Sequence, residues 1–537
     1  MQLKKYKQFT YQARLKVNSD TDKILGNMSE YLSFIERKLF SDLMKGKNIR
    51  DLKKKYIKEY EITARQFNSC RCELEGKINS YKEKKELRKK LLKDKINNIE
   101  KVIKKYRNPN KIHQKKRKLY NLRKKLENLE KESKPRICFG SKKLFKKQFH
   151  LQKNGFSDFN EWKKEWKEKR NNSFFLIGSK DESCGNQSCQ ITKNNNDTFN
   201  LKIRLSNKFA KSFKTVSIEN ISFSYGKSTI IKAIENNLKR KDLKSKKRAL
   251  YNEEGNAINY RFKRDKKSWI VFITLHIEEP DWISKKDYGV IGIDINANHL
   301  ALVETDRYLN PIKTKKINLC LYGKNKNQSL ALIGEASKEI CQIALIAKKP
   351  IIIEKLDFQK KKSTLQETNN RYLRMLSSFS YRSIIKMINS KAWRSKIEVF
   401  DVNPAFTTLI GKIKFAVRYG LSNHLSAALA IARRYMKVSE KPPHQKKVFF
   451  FDAKGSMRAF LLPERNRKKH LWSFLKEISE KIKTMDVPYF GATKSRSLST
   501  LRATYEIEIP ENYERNSHTL KFVDKAARST SLKKSLL

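Results

Sequence analysis

The stretch GVIGIDINANHLALVETD, Gly289 to Asp306, says the most about the fold of this chain. An apolar run from Val290 to Ile293 leads directly into Asp294, and an apolar-rich stretch resumes at His299. This pattern predicts a buried β-strand that carries a carboxylate, then a tight turn and a second strand. A buried carboxylate is costly unless a cation or a donor meets it. Two interpretations of Asp294 stay open: a ligand of a divalent metal in phosphoryl chemistry, or an acid that caps a turn.

A second segment repeats the pairing of a short apolar strand with an acid. KKPIIIEKLDF places Ile351 to Ile353 directly before Glu354, with Asp357 three residues further on. The preceding residues, 329–347, have apolar side chains at helical spacing. The segment therefore predicts a helix followed by a buried strand that ends in a carboxylate.

A third segment joins a strand to a helix of small residues. IEVFDVNP predicts a strand from Ile397 to Val402, and YGLSNHLSAALAIARR predicts a helix with His424 in its first turn. Ser422 or Asn423 is the predicted N-cap. The order of elements is then three strands, helix, strand, helix, strand, helix, which is the order of an α/β RNase H-like nuclease core. In that fold the first strand, the fourth strand and a late helix converge on a site for two Mg²⁺ ions about 4 Å apart.

These three segments resemble the split RuvC motifs of the TnpB proteins of bacterial insertion sequences, relatives of the type V CRISPR effectors. Other segments resemble a TnpB-related subgroup, among them IRLSNKF, FSYGK, DVNPAFTT and FLIGSKDESCGNQSCQ, so the resemblance covers roughly residues 135–435. It implies an RNA-guided DNA endonuclease of a transposable element, with guide RNA and double-stranded target DNA as partners and Mg²⁺ or Mn²⁺ as cofactor. It also implies that Asp294 and Glu354 are the first two catalytic acids and metal ligands.

The chain departs from the TnpB pattern in two places. It has no cysteine after Cys341, so the usual zinc ribbon is absent and no zinc is expected. The position of the third acid holds His424, and the position three residues further on, an acid in RuvC resolvases, holds Ala427. His424 is therefore the candidate third ligand or general base, and Asp401 is a rival donor of a carboxylate.

Two alternatives to an active guided nuclease remain. The altered third motif favours an RNA-guided DNA-binding protein with a weakened or dead nuclease, acting as a repressor or a regulator of transposition. A guide-free, junction-resolving nuclease is disfavoured by the long N-terminal region, because such enzymes need little beyond the core.

The charge of the chain points to a polyanionic partner. Lys and Arg number 121 against 55 Asp and Glu, a formal net charge of +66. Such a chain repels itself unless a polyanion such as nucleic acid neutralises it. The residues expected to contact nucleic acid are Arg88, Lys115, Lys116, Arg117, Lys142, Lys143, Arg261, Lys263, Lys360 and Lys361. No apolar stretch of membrane-spanning length occurs, and a cytoplasmic location is expected.

Composition and periodicity divide the chain into four predicted regions. Strand patterns mark residues 1–18 and 173–285, and basic helical patterns mark 19–172. The resemblance to TnpB proteins implies that the strands form an N-terminal β-barrel wedge domain, with the basic helical recognition arm inserted in it. Residues 286–440 form the RuvC-type core, and 441–537 a basic, partly helical tail. Within the arm, two apolar stripes predict an antiparallel helical hairpin: Leu87, Leu91, Ile96, Ile99 and Ile103, and then Leu119, Leu122, Leu126 and Leu129.

Overall fold

The structure is a computed structural model that describes residues 6–104, 106–182, 184–210, 214–242, 255–355, 380–438, 446–451, 457–466 and 468–485. The chain divides into two units, Met1–Phe450 and Phe451–Leu537. In the second unit, a strand covers Met457–Leu461 and a helix covers Leu471–Met485. Asp357, Lys360 and Lys361 lie outside the described residues. No helix in the described ranges has the length and apolar character needed to cross a bilayer.

The described part of the N-terminal region contains seven antiparallel strands in two sheets. The strands are β1 (Tyr6–Arg14), β2 (Ser173–Leu176), β3 (Cys189–Lys193), β4 (Phe199–Arg204), β5 (Thr215–Ile221), β6 (Asn259–Arg264) and β7 (Trp269–Glu278). One sheet has the order β1-β7-β6-β2, and the other has the order β3-β4-β5. Strand β7 alternates buried and half-buried residues from Trp269 onward, because its odd-numbered side chains face the core and its even-numbered ones do not.

The predicted closed barrel is not what these strands form. Strands β1 and β2 end the four-stranded sheet, and among the described residues neither pairs with the three-stranded sheet. The apolar faces of both sheets instead bury a common core with helices of the arm. Leu25, Ile35 and Phe67 from the arm pack in that core beside Phe262 and Trp269. Helices therefore cover the sheet faces that barrel closure would otherwise bury.

The described residues before position 286 include seven α-helices. They are α1 (Ser19–Met44), α2 (Ile49–Glu59), α3 (Ala64–Ile103), α4 (Pro109–Lys131), α5 (Lys142–Lys147), α6 (Phe159–Arg170) and α7 (Lys227–Asp242). Asn18, Asn48, Thr63 and Asn108 cap the first four through their side chains. The predicted hairpin is confirmed as α3 and α4, which residues 104–108 separate in the sequence.

The seam of that hairpin differs in detail from the predicted stripe. Leu92, Ile96 and Ile99 are buried, whereas Leu87 is exposed. Helix α4 buries none of its residues. Two helices alone cannot enclose a core, so the apolar stripes are only half covered and lysine stems share the coverage.

The core contains a five-stranded mixed sheet. Its strands are β8 (Ile291–Ile295), β9 (His299–Thr305), β10 (Pro311–Asn318), β11 (Ile351–Glu354) and β12 (Val399–Val402), in the order β10-β9-β8-β11-β12. Strands β8, β9 and β10 are antiparallel, and β11 runs parallel to both β8 and β12. The first strand is central and lies between the second and the fourth. This is the predicted RNase H-like order, and it is confirmed.

Helices cover both faces of the core sheet. They are α8 (Lys326–Ala347), α9 (Tyr381–Arg394), α10 (Thr407–Gly411), continued by a π-helix (Lys412–Ala416), and α11 (Asn423–Tyr435). Ile293 and Ile353 face α8 and α9. Ile352 and Val402 face α11, where Ile431 and Ala432 pack on them. Since side chains alternate along a strand, these clusters identify which face of the sheet each strand position occupies.

Candidate active site

Asp294 and Glu354 lie side by side on neighbouring parallel strands. Ile293 pairs with Ile353 in the β8–β11 ladder, so the two acids occupy the next positions of adjacent strands, about 5 Å apart between backbones. Gly292 and Ile352 face α11, and alternation places both carboxylates on that same face. Both acids are buried. The strand register therefore brings together the two acids that the sequence predicts as a pair.

The backbone of α11 lies directly on the central strand. A Cβ placed on Gly292 would come within 2.1 Å of the Ala428 carbonyl oxygen. The alanines of α11 present no long side chain to the sheet, so the helix approaches closely. Ser422 caps the helix by accepting a hydrogen bond from the Leu425 amide at 3.4 Å, which decides between the two predicted caps. His424 then falls in the first turn, over the end of β8.

His424 contacts one of the two acids. Its Nδ1 lies 3.2 Å from Oδ2 of Asp294, and the same oxygen accepts a 2.9 Å hydrogen bond from Nδ2 of Asn296. An ionised carboxylate only accepts hydrogen bonds, so Nδ1 of His424 is the protonated nitrogen of this pair. In a neutral imidazole, Nε2 then keeps its lone pair. The His424 side chain is 49% exposed, and the lone pair of Nε2 therefore lies on a ring that solvent can reach.

His299 packs beside His424 and belongs to the same network. The two rings meet edge to face, with centroids 4.7 Å apart. Nδ1 of His299 donates to Oδ1 of Asn298 at 2.7 Å, and its Nε2 accepts from Asn296 at 3.4 Å. Burial, reinforced by the charge of the neighbouring His424, lowers the pKa of His299 to about 4. His299 is therefore a neutral ring that fixes Asn296 beside Asp294.

Glu354 is held from two sides. One carboxylate oxygen accepts a hydrogen bond from the Thr407 hydroxyl, and the Glu354 carbonyl oxygen accepts one from the Tyr381 hydroxyl. Thr407 begins α10, and Tyr381 begins α9. Thr407 at the start of α10 thus limits the rotamers of the carboxylate, and Tyr381 at the start of α9 holds the backbone at the end of β11.

The donor set suits a magnesium-type ion. Mg²⁺ is commonly held by one or two carboxylates, with waters and substrate phosphates completing its shell. Asp294 and Glu354 match this description. However, no set of three or more His, Cys, Asp or Glu side chains in the described part of the chain is arranged to hold a metal ion. His424 contacts Asp294 through Nδ1, and its role as a third ligand stays a prediction.

Neither source of a third carboxylate supplies one on this face. Ala427 is buried one turn after His424. Asp401 pairs with Ile353 in the β11–β12 ladder, so its side chain lies on the opposite face of the sheet from Glu354. The rival donor is thus excluded by register, and the face that carries the acids holds two carboxylates from strands and one imidazole from a helix.

The basic residues predicted to bind nucleic acid fall into separate groups. Arg88 and Lys142 line one open cavity of about 670 Å³, and Arg261 lines another of about 660 Å³ that shares Tyr81 and Arg136 with it. Arg261 also pairs with Glu73 at 2.7 Å. The exposed residues Lys116, Arg117, Lys143 and Lys263 and the half-buried Lys115 line neither cavity.

Three residues of the site were not among the predicted ones: Asn296, His299 and Thr407. Asn296 and His299 stand in the turn of the same IDINANH segment, so proximity in sequence to Asp294 was an available signal. Thr407 lies in DVNPAFTT, which follows the strand next to Glu354. Nothing in its local pattern indicates that the hydroxyl reaches a carboxylate from another strand.

Comparisons with known proteins give distant structural neighbours only. No family model matches the chain, and no curated protein matches it. A structure of T. thermophilus RuvC in complex with a Holliday junction substrate aligns with 28% of this chain and 96% of its own, at 14% identity and a TM-score of 0.20. The Cas12i1 R-loop complex before target DNA cleavage aligns with 66% of this chain at 10% identity and a TM-score of 0.23.

A third structure, the Cas12i1–crRNA binary complex, aligns with 66% of this chain at 12% identity and a TM-score of 0.13. The aligned regions span 56% and 43% of the two Cas12i1 chains. All three TM-scores lie between 0.13 and 0.23, so the assignment of the fold rests on the strand order and residues of this chain.

Proposed function

We propose that the chain is an RNA-guided DNA endonuclease that depends on Mg²⁺ or Mn²⁺ and cuts through one RuvC-type site formed by Asp294, Glu354 and His424. The observation that supports this most is the adjacency of two buried acids at neighbouring strand positions, under the first turn of α11. Two buried carboxylates without a cation between them repel each other and raise the free energy of the fold. A fold that keeps them together favours a cation-binding role.

Each residue of the site has a distinct role in this proposal. Asp294 and Glu354 would hold the metal ion, which supplies charge neutralisation at the scissile phosphate. Thr407 and Asn296 orient the two carboxylates. His424 donates its Nδ1 proton to Asp294, so its Nε2 is the basic nitrogen that takes a proton from the attacking water. The carboxylate fixes the tautomer, as in other acid–histidine pairs.

The partners follow from charge and from the resemblance to TnpB proteins. A net charge of +66 needs a polyanion, and phosphate contacts by Lys and Arg release counterions. The exposed lysines of α4 and the cations of the two connected cavities supply such contacts. Guide RNA would read the target by base pairing, and the N-terminal region would act as the wedge and arm that hold guide and duplex.

The test is cleavage by the full chain purified with its bound RNA. We would sequence that RNA, then supply a plasmid carrying the matching target beside a randomised flanking library, in Mg²⁺ and separately in Mn²⁺. The proposal expects cuts that require the matching target and disappear in Asp294→Ala. Asp401→Ala is the matched control, because it removes an acid from the opposite face of the same sheet.

A second candidate function is supported by one specific observation. The position that carries an acid in RuvC resolvases holds the buried Ala427, and the described residues hold no set of three metal-binding side chains. A site with two carboxylates favours one ion over two, so the second candidate is a guided DNA-binding protein with a weak or dead nuclease. Target binding without cuts in either metal would select this second function. Cleavage of junctions without any RNA would contradict both.

A further inference from the structure

Helices α5 and α6, together with Phe149 two residues after α5, carry a continuous ladder of five aromatic rings. Neighbouring ring centroids are 6.4 Å apart for Phe149 and Phe145, 5.3 Å for Phe145 and Trp166, and 6.0 Å for Trp166 and Trp162. Phe159 lies 5.1 Å from Trp162 at the other end. The planes of the two tryptophans differ by only 10°, so they are stacked.

Packing explains only the middle of this ladder. Trp162 is buried with Leu144 and Phe156, and its Nε1 donates to the Leu144 carbonyl oxygen at 2.9 Å. The two ends are open: Phe149 is 68% exposed and Phe159 is 50% exposed. The burial of Trp162 does not explain why the rings of Phe149 and Phe159 are exposed to solvent. Exposed rings that adjoin one another in a contiguous row form the kind of apolar patch that marks an interaction surface.

The surroundings of the ladder are strongly basic. Helix α5 begins and ends with pairs of lysines, Lys142, Lys143, Lys146 and Lys147, and α6 carries four lysines and Arg170 against the three acids Glu161, Glu165 and Glu168. The partner must therefore be anionic and must also present flat apolar faces. An acidic peptide lacks those faces, and a DNA duplex hides its base faces inside the stack. Unpaired nucleotides offer both features.

A basic cleft begins at the same helix. Lys142, the first residue of α5, lines the 670 Å³ cavity together with Arg88, Lys125 and Arg136. Through Tyr81 and Arg136 this cavity adjoins the 660 Å³ cavity, which Lys84 and Arg261 line. Among the residues that line the two cavities, the only acids are Glu73 and Glu132. Basic side chains thus line both cavities as far as Lys142, at the start of the helix that carries Phe145.

We propose that the ladder is a stacking platform for single-stranded nucleic acid, whose bases stack on Phe149 and Phe145 while its phosphates follow the lysines of α5 into the cleft. Stacking on aromatic side chains accepts every base, so the platform binds unpaired strands without reading sequence. The inference deepens the nucleic-acid binding in the proposed function and does not depend on the nuclease site.

The test measures binding of the full chain, freed of co-purified RNA, to fluorescein-labelled 20-nucleotide RNA and DNA strands of one sequence and to the matching duplex. Phe149→Ala and Phe145→Ala should each weaken binding to a single strand about 5- to 100-fold and change duplex binding less than about twofold. Phe149→Tyr should restore binding, because a tyrosine ring stacks as well. Tyr322→Ala is the control, since Tyr322 is an equally exposed aromatic residue of the core, 74% accessible.

Comparison of the RNA and DNA strands tells which single strand the platform prefers, and either preference supports it. Unchanged single-strand binding in variants with unaltered thermal unfolding would overturn the platform, and so would an equal loss for the duplex. Capture of a protein that is lost with Phe149→Ala, with oligonucleotide binding intact, would assign the ladder to a protein partner instead. The same assays on Asp294→Ala keep the two proposals apart, because that variant should bind both strands normally.

Discussion

The core sheet and the helical hairpin of the arm differ in how much they bury and in how closely they position their polar groups. In the core, helices cover both sheet faces and two carboxylates are held at adjacent strand ends by register. In the hairpin, α4 buries no residue and α3 buries only a short seam near Ile96. The core positions a few polar groups closely, whereas the hairpin displays many exposed cations, of which some pair with its own acids, such as Arg123 with Glu100 at 2.7 Å.

This difference separates chemistry from affinity. A catalytic acid must stand within a fraction of an ångström of its place, so it belongs on a packed strand. A phosphate contact tolerates a mobile lysine, because its contribution is mostly counterion release. Substitutions in the core should therefore change the rate of cleavage, and changes in the hairpin should change binding.

The largest effect is expected from the paired acids. Asp294→Ala or Glu354→Ala should abolish cleavage, a loss of at least about a thousandfold, because each removes a proposed metal ligand, and a bound metal supplies several kcal/mol at the transition state. Target binding should change less than about threefold, because the cationic surface is untouched. Single-turnover cleavage and filter binding on the same preparations measure the two quantities.

Asp401→Ala serves as the control for both acids and should retain cleavage. Its carboxylate lies on the other face of the sheet. Full activity in Asp294→Ala, or equal losses in Asp401→Ala, would contradict the assigned site.

The next effect concerns His424. His424→Ala should slow cleavage by about a hundred- to ten-thousandfold, the usual range for a general acid–base group, with binding unchanged. His424→Asn is informative because its amide can still donate to Asp294 but cannot act as a base. If His424→Asn cuts as fast as the wild type, the imidazole only positions Asp294 and the general-base role is wrong.

Much of the core was predictable from the sequence, for a physical reason. Strands β8 and β11 are buried on both faces, so their apolar runs are continuous, and the acids interrupt those runs visibly. The small residues and the serine cap of α11 are equally local signals. Side-chain alternation then fixes the face of each acid once the strand order is known.

The remaining features depend on tertiary contacts that leave no local signal. The Thr407 hydroxyl reaches Glu354 across 53 positions of sequence. Likewise, whether the N-terminal strands close into a barrel depends on whether helices or other strands cover their apolar faces. The alternation of apolar and polar residues along each strand is the same in both cases, so the sequence does not distinguish them. In the hairpin, the buried residue is Leu92 and not the predicted Leu91. Apolar side chains on a two-helix surface are only half covered, so they constrain the rotation of the helix about its axis only weakly.

Removal of the hairpin should weaken nucleic-acid binding and leave the stability of the core unchanged. Deletion of residues 84–131 should leave the thermal unfolding of the core within a few degrees and weaken target binding about ten- to a hundredfold at physiological salt. The full chain should show a log–log salt slope of about −5 or steeper, which corresponds to six or more phosphate contacts. The deletion should make that slope shallower by several units. An unchanged slope would remove the hairpin from the interface, and loss of all folded protein would show that the core needs it.

The smallest effect is expected from a matched pair of glycine substitutions. A Cβ on Gly292 would lie 2.1 Å from the Ala428 carbonyl oxygen, so Gly292→Ala must push α11 off the sheet. Overpacking of this kind costs about 1–3 kcal/mol of unfolding free energy. Because α11 carries His424, cleavage should also fall while target binding holds.

Gly334 supplies the other half of the pair, because it lies within α8 and a Cβ added to it would meet no atom within 4 Å. Gly334→Ala should therefore stabilise the core by about 0.5–1 kcal/mol and leave cleavage unchanged. Chemical denaturation of both variants beside their cleavage rates gives the comparison. Equal stability changes in the two would mean that α11 does not pack as closely on β8 as the site requires.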